Sequence, residues 1–288
     1  MILLDGKKVA DEMRAEMAAQ VKQLLQQNKR APSLAAVLVG TDGASQTYVA
    51  NKEKACQAAG FSSQVIRYPA SIGESELLQT IAQLNADSGV DGILVQLPLP
   101  KHIDEQKIIE AIDPRKDADG FHPMNVGKMT VGLPSSQPAT PSGIVELLQR
   151  YAISMSGKHC VIVGRSNIVG RPLSILLSQK NTNCTVTLCH SQTQDIKAHC
   201  LQADILVAAL GKPEFVTAEM VKPGAVVVDV GTTRVADANA DKGYRLKGDV
   251  KFDEVAPRCS YITPVPGGVG PMTIALLLKN TMGCYLHN

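Results

Sequence analysis

Residues 159–172 read HCVIVGRSNIVGRP, and this stretch decides the fold. His159 to Val163 is an apolar, strand-like run, Gly164 follows at once, and Gly170 opens a helix running through Leu176-Leu177. Strand, glycine turn and helix in this order resemble the dinucleotide-binding fingerprint, with Ser166 in place of its middle glycine. Gly164 serves the tight turn, Gly170 the close packing of helix on strand, and the helix N-terminus faces a pyrophosphate. An NAD site usually adds an acidic residue about 20 positions on, holding the ribose hydroxyls. Here the run from Arg165 to Gln194 contains no Asp or Glu, and its strand ends Cys189-His190-Ser191. Arg165 in the turn and the Ser191 hydroxyl suit a 2′-phosphate, so NADP is favoured over NAD. Arg171 reads as a solvated charge.

Working outward, strand and helix signals alternate from end to end. Helical spacing covers Val9–Leu25, 44–59 and 74–85; strand patterns cover 34–40, 64–68 and 92–97. A loop-rich stretch carrying five prolines, Asp113 to Ser142, reads as the domain junction, and a helix over 143–151 leads into the fingerprint. Further strands are expected near 184–189, 204–209, 224–229 and 259–263. Gly211 and the Gly231-Thr232 pair end two of these strands and are expected cofactor neighbours, whereas Asp229 reads as structural. The fold class is therefore α/β: two α/β domains around a cleft, the second Rossmann-like with a parallel sheet. The expected boundaries are 1–140 and 141–271, with a C-terminal helix, 272–288, packing back on the first domain.

The chain has 288 residues, 44% hydrophobic and 19% charged, enough for two cores. A net charge of +2 and the absence of Trp argue against a nucleic-acid surface. The N-terminus turns polar too early for a secretory signal, and no apolar run approaches membrane-spanning length. Seven scattered cysteines without paired metal spacing read as reduced, mostly buried thiols in the cytoplasm, and no metal site is expected.

Chemistry-bearing residues lie in the first half. Tyr48 and Lys52 are four apart on one helical face. VQLPLP (95–100) places Gln96 at the end of an apolar strand, and KDADGF (116–121) sets Asp117 and Asp119 in the loop after it. Singly these read as an exposed helix pair, a strand-end cap and a charged turn. PVPGGVGPMT (264–273) has three prolines, three glycines and no charge, a shaped wall between a strand and a helix.

Taken together, YVANK, VQLPLP, KDADGF, GRSNIVGRP, CHS and PVPGGVGPMT resemble, in this order, the bifunctional methylenetetrahydrofolate dehydrogenase/methenyltetrahydrofolate cyclohydrolase family. The resemblance spans Leu4 to Thr281. It implies oxidation of 5,10-methylenetetrahydrofolate by NADP⁺, then hydrolysis of the methenyl product to 10-formyltetrahydrofolate, as in purine biosynthesis. By resemblance Lys52 is the catalytic lysine, Gln96 orients it, Tyr48 stacks on the aminobenzoyl group, and Asp119 binds the pterin nitrogens. A lysine manages protons at neutral pH only where burial or neighbours lower its pKa. Gly164, Arg165, Ser166, Ser191, Gly211, Gly231 and Thr232 would hold the cofactor. Gly267, Gly268 and Pro271 would line the cleft beside the folate, within contact of both the Lys52 pocket and the Gly164 turn. A homodimer without nucleic-acid or membrane partners is implied. Thr232-Thr233 departs from the family's usual Ile-Asn, and Ala118 and Ala139 replace common Val and Cys. The alternative readings are a monofunctional or NAD-dependent dehydrogenase, a dinucleotide-sensing module, and a shikimate-type dehydrogenase.

Overall fold

The computed structural model describes residues 1–237, 240 and 243–287. It divides into two compact α/β units, Met1–Ala10 with Thr140–Thr273, and Asp11–Ala139 with the segment from Ile274 on.

β1 (Ile2–Leu3) and α1 (Gly6–Gln26) open the chain. Met13, Met17 and Val21 recur every four residues along α1 and are buried, as an amphipathic helix requires. Next come β2 (Ser33–Val39), α2 (Gly43–Ala58), β3 (Ser62–Tyr68), α3 (Glu74–Ala86), β4 (Gly92–Val95), α4 (Glu105–Ala111) and α5 (Pro123–Thr130). The three strands form a parallel sheet in the order β3-β2-β4. Its core joins Val37 and Ile93 to Leu77, Ile81 and Ile108 from the helices. Burying each such side chain contributes roughly 1.5–3 kcal/mol.

The other unit contains α6 (Ala139–Arg150), β5 (His159–Val163), α7 (Gly170–Ser178), β6 (Thr185–Cys189), α8 (Ile196–Leu201), β7 (Ile205–Ala208) and β8 (Val226–Asp229). β9 (Thr233–Ala236), β10 (Tyr244–Lys247), α9 (Phe252–Val255), β11 (Tyr261–Ile262) and α10 (Val269–His287) complete the chain. Its six-stranded sheet, β1-β11-β8-β7-β5-β6, is parallel throughout. Every strand therefore ends at the same edge, where ligands sit in such sheets.

Four expectations differ from the structure. The first ten residues group with the dinucleotide-type unit, because Ile2 and Leu4 donate to the Ser260 and Ile262 carbonyls at 2.8 Å. The stretch 113–142 is not all loop: Pro123 starts α5, where a missing N–H costs nothing, and His122 Nδ1 caps it by accepting from Met124 N at 3.0 Å. β9 and β10 pair antiparallel, a hairpin that the strand patterns did not predict. Finally, α10 starts at Val269 inside PVPGGVGPMT, since Pro271 is tolerated in a first turn. Asn288, the expected end of this helix, lies outside the described residues.

Arg30 links α10, through its stacking on Tyr285, to an ion pair beside the first sheet. Arg30 donates to both Asp91 oxygens at 2.5 and 2.7 Å, and its guanidinium lies 5.0 Å from the Tyr285 ring centroid. Asp91 is 1% exposed, so Arg30→Met leaves a buried carboxylate held mainly by Ser33 N. Because Arg30 itself is half in water, the expected loss is about 2 kcal/mol, read from the urea midpoint. An unchanged midpoint would show that solvent already neutralises Asp91.

All seven cysteines are free and buried. Desolvation pushes the Cys56 and Cys200 thiols up to about 12 and those of Cys259 and Cys284 to about 11. A thiolate is the reactive form. The native protein should therefore react negligibly with an aromatic disulfide reagent at pH 8, and release seven equivalents after denaturation. Rapid release of even one equivalent from the native protein would contradict this burial.

Candidate active site

The N-terminal turn of α2 is capped by Asp42, whose carboxylate accepts from Ser45 N at 2.8 Å. One and two turns further along, the helix carries Tyr48, 37% exposed, and Lys52, 7% exposed. Lys52 Nζ donates to Gln96 Oε1 at 3.2 Å. Gln96 lies just past β4, with its backbone N–H on the Val37 carbonyl at 2.9 Å. Its Nε2 donates to the Leu97 carbonyl at 2.7 Å, which turns the amide so that only its oxygen faces the lysine. The Leu97–Pro98 peptide bond that follows is cis.

The KDADGF loop divides its polar residues between two jobs. Lys116 Nζ donates to the Leu84 and Asp87 carbonyls at 3.1 and 2.6 Å, and is buried. Asp117 accepts from Gly120 N, His122 N and Asn125 Nδ2 at 3.0, 2.8 and 2.9 Å. These two residues build the loop. From α10, Asn280 Nδ2 reaches the Ala118 and Gln137 carbonyls at 2.9 and 2.8 Å and pins the loop from behind. Asp119 is left with no hydrogen bond to its carboxylate among the described residues. Burial pushes its carboxyl up; Lys52 opposes this, and Asp117 reinforces it. A half-buried carboxylate without a hydrogen-bond partner is a site for an incoming donor. Thus Tyr48, Lys52, Gln96 and Asp119 belong to one unit, and Lys52 ties two of its elements together through Gln96.

The other unit gathers Gly164, Arg165, Ser166, Ser191, Gly211, Gly231 and Thr232 at the carboxyl edge of its sheet, after β5, β6, β7 and β8. Gly164 has φ +127°, and a Cβ there would lie 2.0 Å from the Ala209 carbonyl oxygen. One on Gly170 would lie 1.9 Å from the Gly164 oxygen, so strand, turn and α7 meet backbone to backbone. Ser166 Oγ accepts from Val169 N and Gly170 N at 3.2 and 3.4 Å, shaping the turn. Arg165, Ser166 and Ser191 are exposed at this edge, and Arg171 bonds Asn167 at 2.7 Å on the helix surface. A tight, uncluttered glycine turn leading into a helix N-terminus fits a dinucleotide phosphate.

Gly267, Gly268 and Pro271 also belong to this unit rather than to the one holding Lys52. The Gly267 carbonyl accepts from Lys7 N at 2.9 Å, and Gly268 packs on Gly6. Two residues that sequence reading missed join the edge loops. Asp249 Oδ2 accepts from Leu210 N and Gly211 N at 2.7 and 2.9 Å, and Thr263 Oγ1 accepts from Asp229 N at 2.7 Å. Asp249 stands in Gly248-Asp249-Val250, which reads as an ordinary turn. Among the described residues, no group of three or more His, Cys, Asp or Glu could hold a metal ion, and no helix is long and apolar enough to cross a membrane.

A parallel sheet with a glycine turn in one unit, together with a buried lysine and an unpartnered carboxylate in the other, defines a dinucleotide-dependent enzyme acting on a second small molecule. Residues 4–119 match the catalytic domain, and residues 138–288 the NAD(P)-binding domain, of tetrahydrofolate dehydrogenase/cyclohydrolase. The chain belongs to this family and is a bifunctional dehydrogenase and cyclohydrolase of folate one-carbon chemistry. It is 64% identical over 282 residues to the bifunctional protein FolD of Porphyromonas gingivalis, covering 97% of this chain and 95% of that one. It is similar to the solved FolD of Campylobacter jejuni, with 45% identity, a TM-score of 0.94 and full coverage of both chains. The Trypanosoma brucei enzyme, solved with NADP and an inhibitor, is 41% identical with a TM-score of 0.95, over 99% of this chain and 97% of that one.

Proposed function

We propose that this chain oxidises 5,10-methylenetetrahydrofolate with NADP⁺ and hydrolyses the methenyl product to 10-formyltetrahydrofolate, using Lys52, Gln96, Asp119 and Tyr48. The observation that carries this reading is the contact of the buried Lys52 with Gln96 at 3.2 Å, in the same unit as an Asp119 carboxylate that has no hydrogen bond of its own among the described residues. Asp119 accepts from the amino and ring N–H groups of the pterin, a charge-assisted contact that also repays its desolvation. Tyr48, exposed on the same helical face as Lys52, stacks on the aminobenzoyl ring. Gln96 holds the lysine amine in one direction, and that amine moves the proton as water adds to the methenyl carbon and the ring opens.

Bound NADP⁺ supplies the hydride acceptor. The Gly164 turn, Ser166 and the start of α7 hold its pyrophosphate, Arg165 and Ser191 its 2′-phosphate, and Gly211, Gly231 and Thr232 flank its nicotinamide end. Gly267, Gly268 and Pro271 shape the folate side of the same edge. On this reading, the two functional regions are a folate-binding domain before residue 140 and an NADP-binding domain after it, with α10 serving the first. The family resemblance supports a cytoplasmic homodimer whose product enters purine biosynthesis.

Purified protein mixed with methylenetetrahydrofolate tests the assignment by the absorbance of the methenyl intermediate. Turnover is expected with NADP⁺, and far slower turnover with NAD⁺. No NADP⁺-dependent signal would overturn the reading, and equal rates with NAD⁺ would overturn the roles of Arg165 and Ser191.

A further inference from the structure

Two buried carboxylates lie under the edge loops of the cofactor unit. Asp229, 4% exposed, ends β8; its Oδ1 accepts from Gly231 N and Asp249 N at 2.9 and 2.8 Å, and its Oδ2 from Val250 N at 2.9 Å. Asp249 is 0% exposed, and its Oδ2 holds the Leu210–Gly211 turn. Its Oδ1 is buried with no hydrogen-bond partner, on the side facing Gly231, where an added Cβ would lie 2.4 Å away. No Lys or Arg pairs with either carboxylate among the described residues. An unneutralised carboxylate in a core is costly and needs a reason.

Among the described residues, these side chains hold the turns after β7, β8 and β10. On the cofactor reading given above, which this inference rests on, Gly211, Gly231 and Thr232 flank the nicotinamide. That ring is a cation when oxidised and neutral when reduced. A negative potential from below, in a medium less polarisable than water, stabilises only the first of these forms. We infer that Asp249, backed by Asp229, is a positioning residue that sets cofactor redox preference: it fixes the Leu210–Gly211 turn and favours NADP⁺ over NADPH. Burial pushes the Asp229 carboxyl up to about 6, so at neutral pH it still adds to the negative potential.

The two oxygens of Asp249 have separable jobs. Asp249→Asn can keep an oxygen on the Leu210 and Gly211 N–H groups while removing the charge; Asp249→Ser is a second neutral variant that retains an acceptor. Calorimetric titration of wild type and both variants with NADP⁺, NADPH and adenosine 2′,5′-bisphosphate tests the inference without catalysis. The ratio of NADPH to NADP⁺ dissociation constants should fall about tenfold in the variants, a change of about 1.4 kcal/mol. Affinity for adenosine 2′,5′-bisphosphate, which lacks the nicotinamide, should not change. If the variants bind the bisphosphate normally and keep the wild-type NADPH/NADP⁺ ratio, the inference is overturned while the cofactor site stands. If wild type binds none of the three, the cofactor reading fails and takes the inference with it.

Discussion

Lys52→Met is expected to leave the protein folded, able to oxidise methylenetetrahydrofolate, and unable to hydrolyse the product. Methionine keeps most of the apolar stem that fills this buried position and removes only the amine. A positioned acid–base group contributes roughly 10²–10⁴-fold, so hydrolysis should fall by about that factor and the methenyl species should accumulate. Oxidation needs no proton from the protein and should stay within about tenfold of wild type. Asp119 would lose the cation that opposes its desolvation, so its carboxyl would rise further and folate affinity should weaken somewhat. Stopped-flow absorbance of the methenyl chromophore separates the two steps. Wild-type hydrolysis in this variant would remove Lys52 from the mechanism.

Gly164→Ala should produce the opposite phenotype. The backbone at φ +127° resists any L side chain, and the new Cβ would lie 2.0 Å from the Ala209 carbonyl oxygen at the end of the neighbouring strand. Relief requires β5 and β7 to separate where the turn begins, at an expected cost of about 3 kcal/mol or more. NADP⁺ binding should be lost and the melting temperature lowered. Hydrolysis of supplied methenyltetrahydrofolate should persist, because Lys52, Gln96 and Asp119 lie in the other unit. Unchanged NADP⁺ affinity would mean that the fingerprint is only a connection between strand and helix.

Much of this was legible in the chain. The 159–163 strand, Gly164, Gly170 and the helix after them stand where the pattern puts them, because close backbone packing leaves glycine little competition. Lys52 and Gln96 are 44 positions apart, and singly their local signals read as an exposed helix pair and a strand-end cap; only the motifs taken together by resemblance pointed to a site. Other features were not. The Pro123 helix was hidden because proline reads as a breaker unless its place in the first turn is known. β1 joined the dinucleotide-type unit because two apolar residues have no pairing preference until β11 is beside them. Asp249 went unread because nothing local reveals an oxygen left without a partner.

By itself, the order of residues determined the α/β class, the glycine turn and the acid-free stretch after it. All of these are local properties, set by backbone sterics, side-chain period and functional group. Only the tertiary structure decided which acids are free to act. Asp117, Asp119, Asp229 and Asp249 are alike in sequence, and folding alone satisfies Asp117 and Asp229, leaves Asp119 open and orphans one oxygen of Asp249. Hydrogen-bond satisfaction depends on neighbours brought from distant segments, and no local pattern encodes it.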